Sequence, residues 1–266
     1  MIVLYAGITL GGIGLLCGVL LAVASKYLSV EVDERIEQIN EILPGANCGG
    51  CGYAGCSAYA TAVVEGNAPV DACVVCGNDV IKKISELVGT EASGKEPKVA
   101  KVLCSGTTEC AKNRYIYEGI NDCDAAARLG GGFKACTYGC LGLGNCAKVC
   151  PFGAISVEDG VASVDEEKCT GCGKCTAICP KNVIVLVPKT AKYYVGCSSK
   201  NKGAEMKDKC SAGCIGCKIC EKNCPSQAIT VENNIAKIDY DKCTNCGLCA
   251  EKCPRKIIKE RSLNAK

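Results

Sequence analysis

The chain has 266 residues, a formal net charge of +3, 27 cysteines and no histidine or tryptophan. The lack of histidine excludes haem-histidine and Rieske-type ligation and removes the commonest general base. A cysteine content of about a tenth is also found in disulfide-rich secreted proteins, so the spacing of the cysteines has to decide what they do.

The first segment is apolar. Residues 2–25 contain no charged side chain, and a helix of that length, rising about 1.5 Å per residue, is long enough to cross a hydrocarbon core of roughly 30 Å. We therefore predict a transmembrane helix at 1–27. A signal peptide is the alternative, because residues 22–24 resemble a cleavage site, but no Lys or Arg precedes the apolar run. Lys26 and Arg35 follow it, which favours a cytoplasmic location for the remainder.

The second segment, 28–90, is predicted to be a small helical domain that holds one iron–sulfur cluster. We expect helices at 30–43 and 79–88, the latter with Asn78 as its N-cap. Four cysteines with the spacing C-x₂-C-x₄-C-x₁₆-C are the predicted ligands of cluster 1: Cys48, Cys51, Cys56 and Cys73. Cys76 is an alternative to Cys73. Neighbouring glycines let backbone N–H groups approach the sulfurs of a cluster.

The rest of the chain is an internal duplication. Residues 161–184 align without a gap with 235–258, and residues 139–157 align with 213–231 after an insertion of two residues. Each copy contains the pattern C-x₂-C-x₂-C-x₃-C-P. In bacterial ferredoxins this pattern holds [4Fe–4S] clusters, and its fourth cysteine binds the neighbouring cluster.

The predicted fold class is α+β, with two tandem ferredoxin-like modules after the helical domain. A linker and the first module occupy 91–190, the second module occupies 191–260, and a tail occupies 261–266. Short apolar runs flank Asp159-Gly160 in the first copy and Asn233-Asn234 in the second, which predicts a β-hairpin in each module.

The cysteine spacing disfavours disulfides and zinc. Cysteines separated by only two residues point into one small volume, which suits an inorganic cluster better than disulfides between separated partners. A structural zinc site closes with four ligands and has no use for the recurrent third cysteine and Cys-Pro. Because clusters are inserted where thiols stay reduced, we expect the cysteine-rich part in the cytoplasm.

The exchange of the fourth cysteine between neighbouring clusters predicts three regular ligand sets. They are Cys150, Cys169, Cys172 and Cys175 for cluster 3; Cys214, Cys217, Cys220 and Cys253 for cluster 4; and Cys224, Cys243, Cys246 and Cys249 for cluster 5. Cluster 2 has only Cys140, Cys146 and Cys179, because the first copy lacks an equivalent of Cys217. We predict Cys136 as its fourth ligand, and a three-ligand [3Fe–4S] cluster is the alternative.

Five [4Fe–4S] clusters use 20 cysteines and leave seven without a role: Cys17, Cys76, Cys104, Cys110, Cys123, Cys197 and Cys210. Some of these belong to the duplication. Cys104 and Cys197 both occur in a V-x-C-S context, and Cys136 and Cys210 both lie four residues before the cysteine of a Gly-Cys pair. A sixth cluster formed by Cys104, Cys110, Cys123 and Cys136 is an alternative to buried free thiols.

The order of these parts resembles a known family. The stretch LPGANCGGCGYAGC at 43–56 resembles the iron–sulfur domain of corrinoid iron–sulfur proteins. Placed between an apolar segment and ferredoxin repeats, it resembles the B subunit of the Rnf complex, a membrane ferredoxin:NAD⁺ oxidoreductase also called the Rsx electron-transport complex. The second ferredoxin module is a departure from the pattern, and it leaves open which cluster receives electrons.

The resemblance implies that electrons pass from soluble ferredoxin to the other membrane and peripheral Rnf subunits, coupled to Na⁺ or H⁺ translocation. It also implies a single-pass protein of the cell (inner) membrane with its clusters on the cytoplasmic side. We expect no direct binding of NAD or flavin, because the glycines at 130–132 lack a βαβ context, and no nucleic acid, because no recognised motif is present.

Charge is unevenly distributed along the chain. Residues 28–90 contain 3 basic and 9 acidic side chains, a net charge of −6, whereas residues 189–266 contain 16 basic and 8 acidic side chains, a net charge of +8. A basic surface suits an acidic ferredoxin. We predict docking at four lysines: Lys200, Lys202, Lys207 and Lys209. A solvated lysine surface is the alternative.

Two other functions share parts of this pattern. A polyferredoxin subunit of a membrane hydrogenase or related reductase contains similar cluster repeats, but it has no need of the domain at 28–90. A non-catalytic sensor or scaffold uses clusters only for structure, and its clusters are not reduced by ferredoxin at a useful rate. The order of parts favours the Rnf subunit over both.

Overall fold

The structure is a computed structural model that describes residues 2–27, 33–92, 94 and 96–261. Ten helices are found in this part: α1 (Ile2–Tyr27), α2 (Glu34–Ile42), α3 (Cys56–Val64), α4 (Asn78–Val88), α5 (Cys123–Arg128), α6 (Asn145–Lys148), α7 (Lys174–Ile178), α8 (Gly203–Lys209), α9 (Ile219–Lys222) and α10 (Leu248–Glu251). Eight strands accompany them: β1 (Lys98–Val102), β2 (Ile155–Glu158), β3 (Val161–Val164), β4 (Ile184–Pro188), β5 (Tyr193–Val195), β6 (Ile229–Glu232), β7 (Ile235–Ile238) and β8 (Ile258–Glu260). Residues 28–32 and 262–266 lie outside the described residues, and with them the predicted start of the second segment at 28, the predicted start of its first helix at 30 and most of the predicted tail at 261–266.

The N-terminal helix does not support the predicted membrane span. Among the residues described, no helix is both long and apolar enough to cross a membrane. The side chains of α1 that the structure describes are those of Tyr5, Gly7 and 11–23. All of these side chains are exposed, and large apolar ones such as Leu15 and Leu21 are 72% and 71% exposed.

Helices α2, α3 and α4 pack around one apolar core. Ile39 and Ile84 have no exposed surface and Tyr59 is 1% exposed, while the Tyr59 hydroxyl donates to backbone carbonyls of the following loop. The predicted helix at 79–88 is present, but Asn78 is its first residue and not its cap. It ends at Gly89, whose φ of +73° favours glycine because a side chain is strained there.

Each ferredoxin-like module contains the hairpin predicted from its sequence. Strands β2 and β3 pair antiparallel with Ile155 opposite Val164, and β6 and β7 pair with Ile229 opposite Ile238. The turn residues Asn233 and Asn234 have positive φ, as a tight two-residue hairpin turn requires. The hairpin prediction is therefore confirmed in both copies.

A second pair of strands brackets each module. Strand β1 pairs antiparallel with β4 across the first module, and β5 pairs with β8 across the second. Arg261, which is 6% exposed and directly follows the second module, donates to Glu166 of the first module, and Lys101 also forms an ion pair with Glu166. This partly buried network joins the two modules.

The modules also meet along their linkers. Ala111 and Cys210 form an isolated antiparallel bridge, and the flanking Lys112 N–H donates to the Lys209 carbonyl at 3.0 Å. Four side chains form a buried cluster at this junction: Ala111, Cys136, Met206 and Cys210. Two of them belong to each module, so the junction has its own small core.

Candidate metal centres

The predicted ligands of cluster 1 line one cavity with about 310 Å³ of empty space. These ligands are Cys48, Cys51, Cys56 and Cys73. Asn47 positions the start of α3, because its side-chain oxygen accepts from the Cys56 N–H at 2.8 Å. Cys76 does not line the cavity. A hydrogen bond from the Cys76 thiol lowers the pKa of Cys73 below its ordinary value.

The predicted ligands of cluster 3 line a second cavity: Cys150, Cys169, Cys172 and Cys175. The N–H of Ala154 donates to Cys150 Sγ at 3.4 Å, and the N–H of Ala100 donates to Cys169 Sγ at 3.4 Å. Burial and the three neighbouring sulfurs raise the pKa of Cys175 to about 11. Backbone donors aimed at sulfur are the contacts that stabilise bound clusters and set their potentials.

The cavity of cluster 2 contains Cys140, Cys146 and Cys179, as predicted, with about 360 Å³ of empty space. Its fourth thiol is that of Cys123, one of the seven cysteines that the predicted ligand sets left without a role. Burial and repulsion from Cys140, Cys123 and Cys179 raise the pKa of Cys146 to about 12. Cys136, the predicted fourth ligand, lines a different cavity.

Two polar residues hold Cys123 at this cavity. Cys123 begins α5, and the side chain of Asp122 caps that helix by accepting from the Ala125 N–H at 2.8 Å. Asn145, which is 8% exposed, accepts from the Cys123 N–H at 2.9 Å and donates to Asp122 at 2.7 Å. The cysteine pattern carried no signal for this position, because the arrangement depends on contacts between residues about 22 positions apart.

The second module brings together the two regular sets of four. Burial raises the pKa of Cys220 to about 11, with further repulsion from Cys214, Cys253 and Cys217. Burial likewise raises the pKa of Cys249 to about 11, with repulsion from Cys243, Cys246 and Cys224. These are the sets predicted for clusters 4 and 5. The Ala228 N–H donates to Cys224 Sγ at 3.3 Å, and this contact matches the one that Ala154 makes in the first module.

Cys136 lines a cavity at the junction of the two modules. It shares this space with three further cysteines: Cys104, Cys197 and Cys210. We call it the inter-module cavity. The paired sequence contexts of these four residues were the only signal for it, and the sixth cluster suggested by the sequence shares only Cys104 and Cys136 with this set.

The domain at 28–90 contacts the first module beside a predicted ligand. A Cβ atom added to Gly50 would lie 3.1 Å from both the Cα and the carbonyl oxygen of Cys172, and 2.8 Å from a methyl carbon of Val74. A side chain at position 50 would force its neighbours to shift. Cluster 1 and cluster 3 are therefore predicted to lie next to each other.

The cysteines fit iron–sulfur clusters as a donor set. Each cavity gathers four thiols, all 27 cysteines are free, and several sulfurs accept backbone N–H bonds. Across the described ranges, no group of three or more histidine, cysteine or acidic side chains is placed to hold a single metal ion.

Family models match three parts of the chain. Residues 43–75 match a putative Fe-S cluster family, residues 144–190 match the LdpA Fe-S cluster-binding domain, and residues 213–257 match the 4Fe-4S dicluster domain. Iron–sulfur domains therefore occur in the helical segment and in both modules, within a mixed α and β fold.

Curated relatives match most of the chain. It is 46% identical over 236 residues to the B subunit of the ion-translocating oxidoreductase complex of Methanosarcina acetivorans, covering 88% of this chain and 89% of the relative. It is 48% identical to the B subunit of the Na(+)-translocating ferredoxin:NAD(+) oxidoreductase complex of Acetobacterium woodii, covering 88% and 71%. It is 46% identical to the B subunit of the proton-translocating ferredoxin:NAD(+) oxidoreductase complex of Clostridium ljungdahlii, covering 88% and 83%. The chain therefore belongs to the family of B subunits of the ion-translocating oxidoreductase, or Rnf, complexes.

Proposed function

We propose that this chain carries electrons from reduced ferredoxin into a membrane ferredoxin:NAD⁺ oxidoreductase complex that couples their flow to Na⁺ or H⁺ translocation. The observation that carries the proposal is the 46–48% identity, over 88% of the chain, to the B subunits of three such complexes. The other subunits of the complex are its proposed partners. One relative is named for Na(+) translocation and another for proton translocation.

Five sets of four cysteines are proposed to hold [4Fe–4S] clusters. Four sets are those predicted from the sequence, and in the fifth Cys123 takes the place of Cys136 because it shares a cavity with Cys140, Cys146 and Cys179. Bound clusters supply one-electron carriers whose potentials depend on burial and on hydrogen bonds to sulfur. The protein supplies the thiolates, the backbone donors and the close approach at Gly50.

A lysine surface around α8 is proposed to dock ferredoxin. Lys200, Lys202 and Lys207 are exposed, and none of the ion pairs found in the described residues includes them. Lys209 is less available, because its ammonium group bonds to Glu205 at 3.1 Å. Free basic charges accelerate encounter with an acidic partner at low ionic strength. The region at 28–90 carries a net charge of −6, and it does not attract the same partner.

Charge reversal tests this docking surface. We expect the triple variant Lys200→Glu, Lys202→Glu and Lys207→Glu to lower the rate of ferredoxin oxidation by about 10-fold at low salt, and the deficit to shrink as salt increases. The matched control reverses Lys82 and Lys83 in α4, outside the basic region, and should leave the rate unchanged. An unaltered rate and salt dependence in the triple variant would show that ferredoxin docks elsewhere.

Membrane association is proposed from the family, because ion translocation takes place across a membrane. The exposed apolar side chains of α1, such as Leu15, Leu16 and Leu21, are the proposed contact. Replacing these three leucines with Ser should release the chain from washed membranes while its iron content is retained. Retention of the variant on membranes would contradict a role for α1 in the association.

A further inference from the structure

We infer that Cys104, Cys136, Cys197 and Cys210 hold a sixth [4Fe–4S] cluster at the boundary between the two ferredoxin modules. The inference of a binding site depends on the geometry of the inter-module cavity alone. Its role as a link between the modules rests on the proposed electron-transfer function.

The sulfurs of this site surround a small space that two glycines keep open. A Cβ atom added to Gly106 would lie 3.4 Å from Cys210 Sγ and 3.6 Å from Cys104 Sγ. A Cβ atom added to Gly139 would lie 3.6 Å from Cys104 Sγ and 3.8 Å from Cys136 Sγ. Thiols from both modules therefore border one space, and four thiols line it, as four thiols line each of the three other cysteine-lined cavities.

Backbone donors point at the sulfurs of this site as they do at the regular ligands. The Gly106 N–H donates to Cys104 Sγ at 3.4 Å, and the Ser199 N–H donates to Cys197 Sγ at 3.5 Å. Each donor is two residues after its cysteine, so the two modules make the same contact. Cys197 Sγ also accepts from the Cys214 N–H at 3.4 Å. Such donors stabilise the negative charge of a cluster.

Each module contributes one equivalent pair of ligands. Cys104 and Cys197 share the V-x-C-S context, and Cys136 and Cys210 occupy matching positions before Gly-Cys. The serine after Cys104 and the serine after Cys197 each donate a hydrogen bond to a carbonyl of the other module. Ser105 Oγ donates to the Gly196 carbonyl at 3.0 Å, and Ser198 Oγ donates to the Tyr138 carbonyl at 2.9 Å. The two copies of the duplication thus contribute equivalent residues to the two halves of one site.

A buried cation lies at the same cavity. Lys134 is 3% exposed, and its ammonium group donates to the carbonyls of Gly106 at 2.9 Å and Gly160 at 2.7 Å. Among the ion pairs found in the described residues, none gives Lys134 a carboxylate partner. An ammonium group buried without a counter-charge is costly. A cluster bound by four thiolates carries negative charge and offsets that cost.

The site lies next to the ligands of two other clusters. Cys136 precedes Cys140 of cluster 2 by four residues, and Cys210 precedes Cys214 of cluster 4 by four residues. Met206 of α8 is 1% exposed and lines the cavity, while Lys207 on the same helix faces solvent. A sixth cluster here places a one-electron carrier between the modules and beneath the proposed ferredoxin-docking surface.

Counting iron and acid-labile sulfide in chains purified anaerobically within their complex tests the site. With six clusters of four irons in this chain, we expect about 24 irons per chain. Cys136→Ala, Cys210→Ala and the double variant should each lose the same cluster, so all three should retain about 20 irons. The matched control Cys110→Ala, whose thiol lies near the junction but does not line the cavity, should retain all of them.

Two results would overturn the inference. One is a wild-type chain with about 20 irons that Cys210→Ala leaves unchanged. The other is additive loss, in which the double variant loses about eight irons because Cys136 and Cys210 serve separate clusters. Since iron content does not depend on ferredoxin, a failure of the site and a failure of the proposed function give different results.

A variant that keeps all four thiols tests the site even if the cysteine variants fail to fold. Lys134→Met should leave the iron count unchanged and shift downward the midpoint potential of the cluster that Cys210→Ala removes, because removing a nearby positive charge disfavours the reduced form. Potentials of all clusters are measured by redox titration with electron paramagnetic resonance. Six unshifted potentials in Lys134→Met would place Lys134 away from any cluster and contradict the site.

Discussion

The two ferredoxin-like modules differ in how they complete one cluster site. In the second module, Cys214, Cys217 and Cys220 come from a single short loop and helix, and Cys253 comes from the partner motif. In the first module the position of Cys217 is missing, and Cys123 reaches the same kind of cavity from α5, more than 20 residues upstream of Cys146. Four thiols thus line the cavity in the first module as well, although one of them comes from another element.

This difference shows that a regular cysteine motif brings its thiols together without contacts from distant residues. Closely spaced cysteines need only a tight loop to converge, because the chain between them is too short to separate them. A ligand from a distant helix needs further contacts to fix it, and in the first module Asp122 and Asn145 provide them. The aligned position in the second module is occupied by Ile219, which makes no such bridge.

The largest expected effect comes from removing the ligand that distinguishes each module. Cys123→Ala and Cys217→Ala should each reduce the iron count by about four, because each site then has three thiolates. The measurement is iron and sulfide per chain after anaerobic purification. Loss of iron in Cys217→Ala but not in Cys123→Ala would show that a residue other than Cys123 is the fourth ligand of cluster 2.

A smaller effect is expected from the support of Cys123. Asn145→Leu removes the hydrogen bonds that Asn145 makes with the Cys123 N–H and with the Asp122 carboxylate, which should cost about 1–3 kcal/mol of the free energy of unfolding. The matched change Ile219→Leu in the second module alters no hydrogen bond and should cost less than about 1.5 kcal/mol. Loss of visible cluster absorbance with increasing denaturant measures both. Equal effects of the two changes would show that Asn145 does not support the site through its hydrogen bonds.

The smallest effect concerns the ion pairs that join the modules. Burial opposes the charged form of Glu166, but hydrogen bonds from Arg261 and Lys101 prevail and hold its pKa below the ordinary value of 4.5. A lowered folded pKa contributes stability that is present above pH 4.5 and lost as the pH falls through the folded pKa. Glu166→Gln should therefore flatten the decline in stability below pH 4.5. An unchanged decline would show that other carboxylates cause it.

The sequence predicted what repeats and short spacing determine. The duplication, both hairpins and the close grouping of the regular cysteine sets follow from residues near one another in the chain. Cys123 and the inter-module cavity were missed or incompletely predicted, because packing between distant segments brings their thiols together. The membrane span predicted at 1–27 rested on apolar composition, and the described part of the chain does not support it.

The most direct test of the central claim is rapid mixing of reduced ferredoxin with the anaerobically purified complex while the visible absorbance of its clusters is followed. We expect bleaching at least as fast as steady-state turnover, slowed at low salt by reversal of Lys200, Lys202 and Lys207. Clusters of this chain that stay oxidised while the complex turns over would contradict its role as the electron carrier.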